Sequence, residues 1–464
     1  MWNRCTVHQR RFGALSVVLL LAPVLLNGCG AKNAVFPVGF PGAASFSSEV
    51  PRAWMQLALR LTQETPGFTP PVASRAFGYE GVALYEAIVP GMHGYVSLAG
   101  QLNGLSSVPA ATHGYEYHWP LVANSALAAM FRELYSNATP ANMAAIDSLE
   151  AAFEAIYQVD VETSIKNRSV SRGRAVAAAI FAWAMTDGGH EGQLSNFPAS
   201  FVPPVGPGLW VPTPQLSGAP PQSALQPYWG DNRPFVLDPG GDPTIDCDPG
   251  VPPAYSEDPA SDFYVEALEV YETVNNATAE EVAIALFWAD DPGVTATPPG
   301  HSLSILRQTL ADEDASLALA AEGYSKVGIA VADAFIACWY SKFVFNLLRP
   351  ITYARTVLGD PTWLPPHVNT PPFPEYTSGH SVQSGAVFQV LTDMFGEDYP
   401  FTDHTHDARG LASRSFASFN DAAEEAAISR LYGGIHYRAA IDKGVLQGRL
   451  IASEIAALTF HAGS

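Results

Sequence analysis

Lysine is scarce in this 464-residue chain. There are five, and lysine and arginine together number 24 against 45 acidic side chains, a formal charge of −21. A protein this anionic shows no basic surface for phosphate backbones, which excludes nucleic acid as a partner. Any anion it does hold needs a cationic cluster built for the purpose. Cysteine is equally sparse: beyond Cys29 only Cys247 and Cys338 remain, too few for a disulfide framework. One bridge between them is open to an exported chain, but Cys338 lies in an apolar helical run and reads as a buried thiol. Past the N-terminal segment no second unbroken apolar run of about 18 residues occurs, so no membrane span is expected in the body. Alternating strand patterns are also scarce, which leaves an all-α fold.

The N-terminus has the parts of an export signal. Arg4, Arg10 and Arg11 precede the apolar run from Ala14 to Leu26, which is short for a permanent span. Leu26, Asn27, Gly28 and Cys29 follow, and this tetrad resembles the bacterial lipobox, in which the cysteine is diacylated and becomes the mature N-terminus. The expected organisation is a signal over 1–28, a flexible Gly-, Ala-, Ser- and Pro-rich tether over 29–48 and a single body over 49–464. The product is then exported, in the periplasm or on the outer membrane of a bacterium, and touches a membrane only through lipid. A monomer is expected.

Within the body, apolar residues recur at helical spacing in segments such as Val72 to Val89, Ala279 to Phe287, Ala315 to Leu348, Ser381 to Phe395, Phe419 to Tyr432 and Arg438 to Leu458. Their alanine content suits close helix packing. Residues 188–260 break the pattern with prolines, glycines and aspartates, and read as an insertion laid across one face of the helical body. Its acidic stretch from Asp238 to Gly250 lacks the ordered spacing of a calcium loop and reads as solvated.

Against this background three segments stand out: KFVFNLLRP from Lys342 to Pro350, EYTSGH from Glu375 to His380, and SRLYGGIH from Ser429 to His436. Lys342 and Arg349 are seven residues apart, two helical turns or about 10.5 Å along one face, with Pro350 expected to stop the helix. Ser378, Gly379 and His380 sit where a proline-rich loop gives way to a helical run, so free N–H groups and a positive dipole end are expected there. Gly433 and Gly434 allow a sharp reversal that lets Arg430 and His436 face one centre. Together these residues would hold a tetrahedral oxyanion.

The pattern KxxxxxxRP, SGH and SRxxxxxH resembles the superfamily that joins vanadium-dependent haloperoxidases with type 2 phosphatidic acid phosphatases and bacterial acid phosphatases. Thr377 stands where proline is commonest. Phe287 to His301, the approach PPFPEYTSGH and SRLYGGIHYR are similar to the haloperoxidase branch, and Ser74 to Ala87 to early helices of bacterial members. Phosphatases usually carry Asp four residues after the last histidine, and Ala440 occupies that place here, with Asp442 two further on.

The resemblance implies two packed four-helix bundles and a vanadate cofactor bonded to His436. Lys342, Arg349, Arg430, Ser378 and the Gly379 N–H would hold its oxygens, and His380 would be the acid and base. Hydrogen peroxide, a halide and small organic acceptors would be the substrates, with iodide or bromide expected. The catalytic set is then His380, Lys342 and His436. In supporting roles Asp290, or its neighbour Asp291, would orient Arg430, and His301 would line the mouth or lie at the surface. Phe373 falls where chlorinating members tend to have an aromatic ring and algal brominating ones a histidine. The alternatives are a phosphatase acting through a phosphohistidine at His436, and a non-catalytic oxyanion-binding lipoprotein, against which an intact His380 argues.

Overall fold

Most helix starts among the described residues are set by proline in the first turn or by a capping hydroxyl. Proline opens α2 (Pro70–Ile88), α4 (Pro140–Tyr157) and α10 (Pro350–Thr356), where its missing N–H costs nothing. Ser261, Thr278, Ser316, Ser378 and Ser418 cap α6 (Asp262–Asn275), α7 (Ala279–Phe287), α9 (Leu317–Phe345), α11 (Gly379–Phe395) and α12 (Phe419–Tyr432) through their side-chain oxygens. The remaining helices are α1 (Glu49–Glu64), α3 (Trp119–Leu134), α5 (Thr163–Ala184), α8 (Thr297–Asp312) and α13 (Arg438–Ala456). The only sheet among the described residues is a two-stranded antiparallel pair, β1 (Phe401–Asp403) and β2 (Arg414–Phe416), with Asp403 opposite Arg414. The computed structural model describes residues 40–463; the export signal, Cys29 and most of the tether lie outside them.

The expected all-α architecture is present. One set of helices packs α2 against α3 and α5, with α1 and α4 beside α3; the other packs α11 against α12 and α13. Helix α9 serves both, covered by α2 on one side and by α11 and α13 on another. It is long and apolar enough to cross a bilayer, yet it is the buried core helix here. Two crossings depend on glycine. A Cβ on Gly81 would lie 2.2 Å from the Tyr324 carbonyl oxygen across α2 and α9, and one on Gly448 2.1 Å from the Val382 oxygen across α11 and α13.

Three expectations need correction. The tether does not extend to residue 48: Ala43 and Ser48 are buried, and the Ser48 N–H donates to the Ala315 carbonyl while Leu317 N–H donates to Phe46. Helix α9 ends at Phe345, because Asn346 adopts the left-handed conformation at φ 47°. Pro350 therefore opens α10 instead of stopping α9, and Lys342 and Arg349 do not share a helix. The insertion, finally, is more than a surface excursion. Asp333 of α9 accepts the Phe235, Val236 and Leu237 N–H groups at 2.7, 2.8 and 3.3 Å. Trp210 N–H donates to Asn346 and Leu348 N–H to Gly208, so the insertion fastens the link between Lys342 and Arg349. In its acidic stretch Asp238, Asp242 and Asp248 accept N–H groups two residues on, which makes them turn carboxylates. Cys247 and Cys338 are buried free thiols.

Candidate active site

A cavity of about 440 Å³ opens where α11 begins, α12 ends and the insertion crosses α9. Of the residues read from the sequence, Gly379, His380, Arg430, His436, Phe373 and Asp290 line it. Apolar wall comes from Phe335, Trp339 and Ile435, and the insertion contributes Phe197, Gln215, Gln222 and Leu225.

His436 sits in the reversal between α12 and α13. Its Nδ1 lies 2.8 Å from Glu375 Oε1, which also accepts the Tyr437 N–H at 2.9 Å. A carboxylate at Nδ1 requires the proton there, so Nε2 carries the lone pair. Burial, then the charges of Arg349, Lys342 and Arg430, hold His436 well below its ordinary pKa, so the ring is neutral. Arg349 stands behind it: Nη1 donates to the Ile435 carbonyl at 2.7 Å and lies 3.1 Å from His436 Nε2, while Nε donates to the Phe373 carbonyl. Burial lowers Arg349 to about 10, so it remains charged, and its buried Nη2 has no partner.

His380, at the second position of α11, is partly open to the cavity. Its Nε2 is unpaired, and burial followed by the nearby Arg430 charge keeps its pKa well below 6.5. Arg430 ends α12, held by Ser429 Oγ at 2.9 Å and the Ala285 carbonyl at 3.2 Å, and burial lowers it to about 10. Gly379 needs no glycine for packing, since a Cβ there would meet Trp339 at an ordinary 3.6 Å. Its missing side chain leaves the cavity wall and the helix N-terminus open. Phe373 lies beneath both cations, with Lys342 Nζ 5.1 Å and Arg349 Cζ 4.9 Å from its ring centre.

Lys342 and Ser378 lie behind the wall. Lys342 is fully buried and donates to the carbonyls of Pro374 at 3.1 Å, Glu375 at 2.8 Å and Thr377. Its three protons already have acceptors, so an oxyanion would compete with the loop for them. Burial brings its pKa down to about 7. The Ser378 hydroxyl accepts the Ser381 N–H at 3.4 Å as a cap.

The expectations for Asp290 and His301 are overturned. Asp290 makes no hydrogen bond to Arg430; Oδ2 lies 2.7 Å from His301 Nδ1 and Oδ1 3.3 Å from His406 Nε2. His301 does not line the mouth. It is buried, with Nε2 2.6 Å from Asp403 Oδ2 and its ring stacked on Trp288 at 4.5 Å.

Sequence reasoning missed Glu375, Asp403 and His406. Glu375 stood inside the quoted EYTSGH segment, but an orienting carboxylate was sought only four residues after His436. Burial raises Glu375 to about 7, against the opposing pull of Arg349 and Lys342, and its Oε2 is unpaired.

The donor set fits a tetrahedral oxyanion. An unpaired buried donor or acceptor costs about 1–3 kcal/mol, and here Arg349 Nη2 and His380 Nε2 have no partner, while the His436 Nε2 lone pair is met by Arg349 Nη1 at 3.1 Å. An anion with an open coordination position can engage all three.

Comparison with known proteins agrees with this geometry. Residues 324–462 match the model of the vanadium chloroperoxidase second helical-bundle domain. The vanadium chloroperoxidase of Curvularia inaequalis is 34% identical over 134 residues, which cover 24% of this chain and 22% of that protein, so the match spans about a fifth of the relative's length. Among solved structures, a bacterial vanadium-dependent iodoperoxidase shares 37% identity at a TM-score of 0.78, covering 90% of this chain and 98% of that one. A bacterial vanadium-dependent chloroperoxidase in its holo form has the same fold, at 17% identity and a TM-score of 0.60 over 84% of this chain and 94% of that one.

Proposed function

The chain belongs to the vanadium-dependent haloperoxidase family, and on that premise we propose that it oxidises iodide or bromide with hydrogen peroxide in the cavity described above. The reaction balances as peroxide, halide and one proton giving hypohalous acid and water. One observation carries the reading: Glu375 engages His436 through Nδ1 at 2.8 Å, which turns Nε2 toward the Arg349 guanidinium at 3.1 Å in the cavity wall.

His436 Nε2 would bind the vanadium of vanadate. Arg349, Arg430 and the N-terminal N–H of α11 at Gly379 would neutralise the oxygens. When bound, vanadate supplies a Lewis acid that polarises peroxide without changing oxidation state. The protein does the rest. Glu375 keeps the proton on His436 Nδ1 and fixes the plane of the ring. His380, neutral with Nε2 free, takes a proton as peroxide enters and returns it to the departing oxygen. Lys342 holds the loop that carries Glu375 and Thr377.

Phe335, Trp339, Phe373 and Ile435 exclude water. An apolar wall strips the halide of its hydration, a cost that is smallest for the largest and most weakly hydrated ion. This supports iodide or bromide, as does the likeness to an iodoperoxidase. The export signal and Cys29 read from the sequence would place the reaction outside the cytoplasm on a lipid anchor; the mass of the N-terminal peptide from the producing cell tests this.

Incubating apo-protein with orthovanadate and assaying iodide, bromide and chloride oxidation tests the function. Stoichiometric vanadium with halide-dependent turnover is expected, and phosphate should compete for the cavity. Hydrolysis of phosphate esters without halide oxidation would overturn the reading in favour of a phosphatase.

A further inference from the structure

Next to the cavity lies a second buried cluster for which the reaction has no use. His301 of α8 is bonded at both ring nitrogens, to Asp290 at 2.7 Å and to Asp403 at the end of β1 at 2.6 Å. The His406 ring packs edge-on to it at 4.7 Å, with Nε2 facing Asp290 and Nδ1 3.3 Å from Arg409 Nη1. Trp288 covers one face of His301, and the Phe287 ring centre lies 5.5 Å from it. Asp403 Oδ1 accepts the Thr405 N–H at 2.9 Å.

Two carboxylates at both nitrogens demand protons on both, so His301 is an imidazolium. Burial opposes that charge, but Asp290 and Asp403 more than offset it and raise the pKa to about 10. Asp290 is also the residue where the chain turns left-handed, at φ 49°, a conformation that aspartate tolerates better than most side chains. It lines the cavity beside Asp291, His380 and Arg430, and its charge bears on both of the latter. The backbone of the turn is closed by the Val294 and Thr295 N–H groups donating to the Asp291 carbonyl, which leaves the Asp290 carboxylate to be placed by its side-chain partners.

We propose that His301 is a positioning residue for the cavity: clamped by Asp403, it holds the Asp290 carboxylate and so fixes the negative charge that faces Arg430 and His380. The relay runs from β1 through α8 to the cavity wall and touches no reacting atom. The proposal rests on the cavity being the oxyanion site.

Asp290, His301 and His406 would also suit a divalent cation, since their ligand atoms lie within 4.8 Å of one another. The proton-linked network has the simpler chemistry, because a cation would need the His406 Nε2 lone pair while Arg409 already donates to Nδ1.

The experiment compares wild type, His301→Gln and Asp403→Asn as apo-proteins. Orthovanadate affinity is measured by calorimetry, and the histidine protonation state by 15N spectra of histidine-labelled wild type near neutral pH. A relay predicts two protonated nitrogens on one buried histidine and about tenfold weaker vanadate binding in both variants, as for other outer-contact groups, with helix content unchanged. Wild-type affinity in a folded variant overturns it. A neutral His301 also overturns it, as does one equivalent of divalent metal in purified wild type. The spectra and Asp403→Asn decide the matter even where His301→Gln does not fold. Wild type that binds no vanadate while showing the imidazolium would refute the oxyanion site and leave the clamp standing.

Discussion

The cavity separates two buried charged clusters of opposite construction. On the α9 and α13 side, Lys342, Arg349, His436 and Glu375 are fully enclosed yet incompletely paired: Arg349 Nη2 and Glu375 Oε2 have no partner, and His436 is kept from protonation by burial and then by its cationic neighbours. On the α8 and β1 side, Asp290, His301, Asp403 and His406 are as deeply buried, but each ring nitrogen of His301 meets a carboxylate, and the two atoms left without a hydrogen bond, Asp290 Oδ1 and His406 Nε2, face each other at 3.3 Å. Burial alone therefore does not mark the reactive side. The direction of the unmet hydrogen-bonding capacity does, because His380 and His436 line the cavity, where a ligand can satisfy a group left wanting a partner at about 1–3 kcal/mol. Asp290 Oδ1 and His406 Nε2 instead face each other inside a network that is otherwise closed and gives rigidity.

The sharpest way to break this contrast is His436→Ala. Losing the Nε2 lone pair beside Arg349 should weaken vanadate binding by about 100-fold or more, beyond the 10- to 100-fold carried by outer contacts; equal affinity in calorimetry would remove His436 as the ligand. His380→Ala should leave vanadate affinity close to wild type and cut iodide turnover about 100-fold, the scale of a lost acid and base. Steady-state kinetics at saturating vanadate separates the two variants.

Glu375→Gln keeps an acceptor for His436 but removes the charge that sets its tautomer. Vanadate affinity should fall about tenfold, and an unchanged binding isotherm would show that the Tyr437 and His436 contacts only brace the loop.

The closed cluster should express itself in stability. A histidine whose folded pKa is raised to about 10 stabilises the fold fully below about pH 6.5 and loses that contribution as pH rises through 10. Wild type should therefore lose Tm between about pH 7 and 10 more steeply than His301→Gln, by about 2 °C or more; parallel curves would mean that His301 is not charged in the fold.

Much of this was legible in the chain. The extents of α7 and α12 follow from apolar spacing alone, and α11 from the change of a proline-rich loop into an apolar run behind Ser378. Local signals sufficed there, because caps and periodicity act over a few residues. The end of α9 was not legible. A run from Ala315 to Leu348 looks continuous, and only the pairing of Gly208 and Trp210 with Leu348 and Asn346 accompanies the left-handed break at Asn346. The partners of Lys342, Asp290 and His301 were not legible for the same kind of reason, since they come from distant segments: Pro374 to Thr377, His406, and Asp403.

By itself the sequence determined the helical class, the anionic surface and which residue types could meet an oxyanion, since composition, periodicity and motif are properties of short stretches. The tertiary structure alone decided that His436 takes its orientation from Glu375, 61 positions away, and that Asp290 answers to His301 and Asp403 instead of Arg430. Electrostatics and hydrogen bonding act through space at about 3 Å, and a linear chain does not reveal which of its many carboxylates will arrive within that distance.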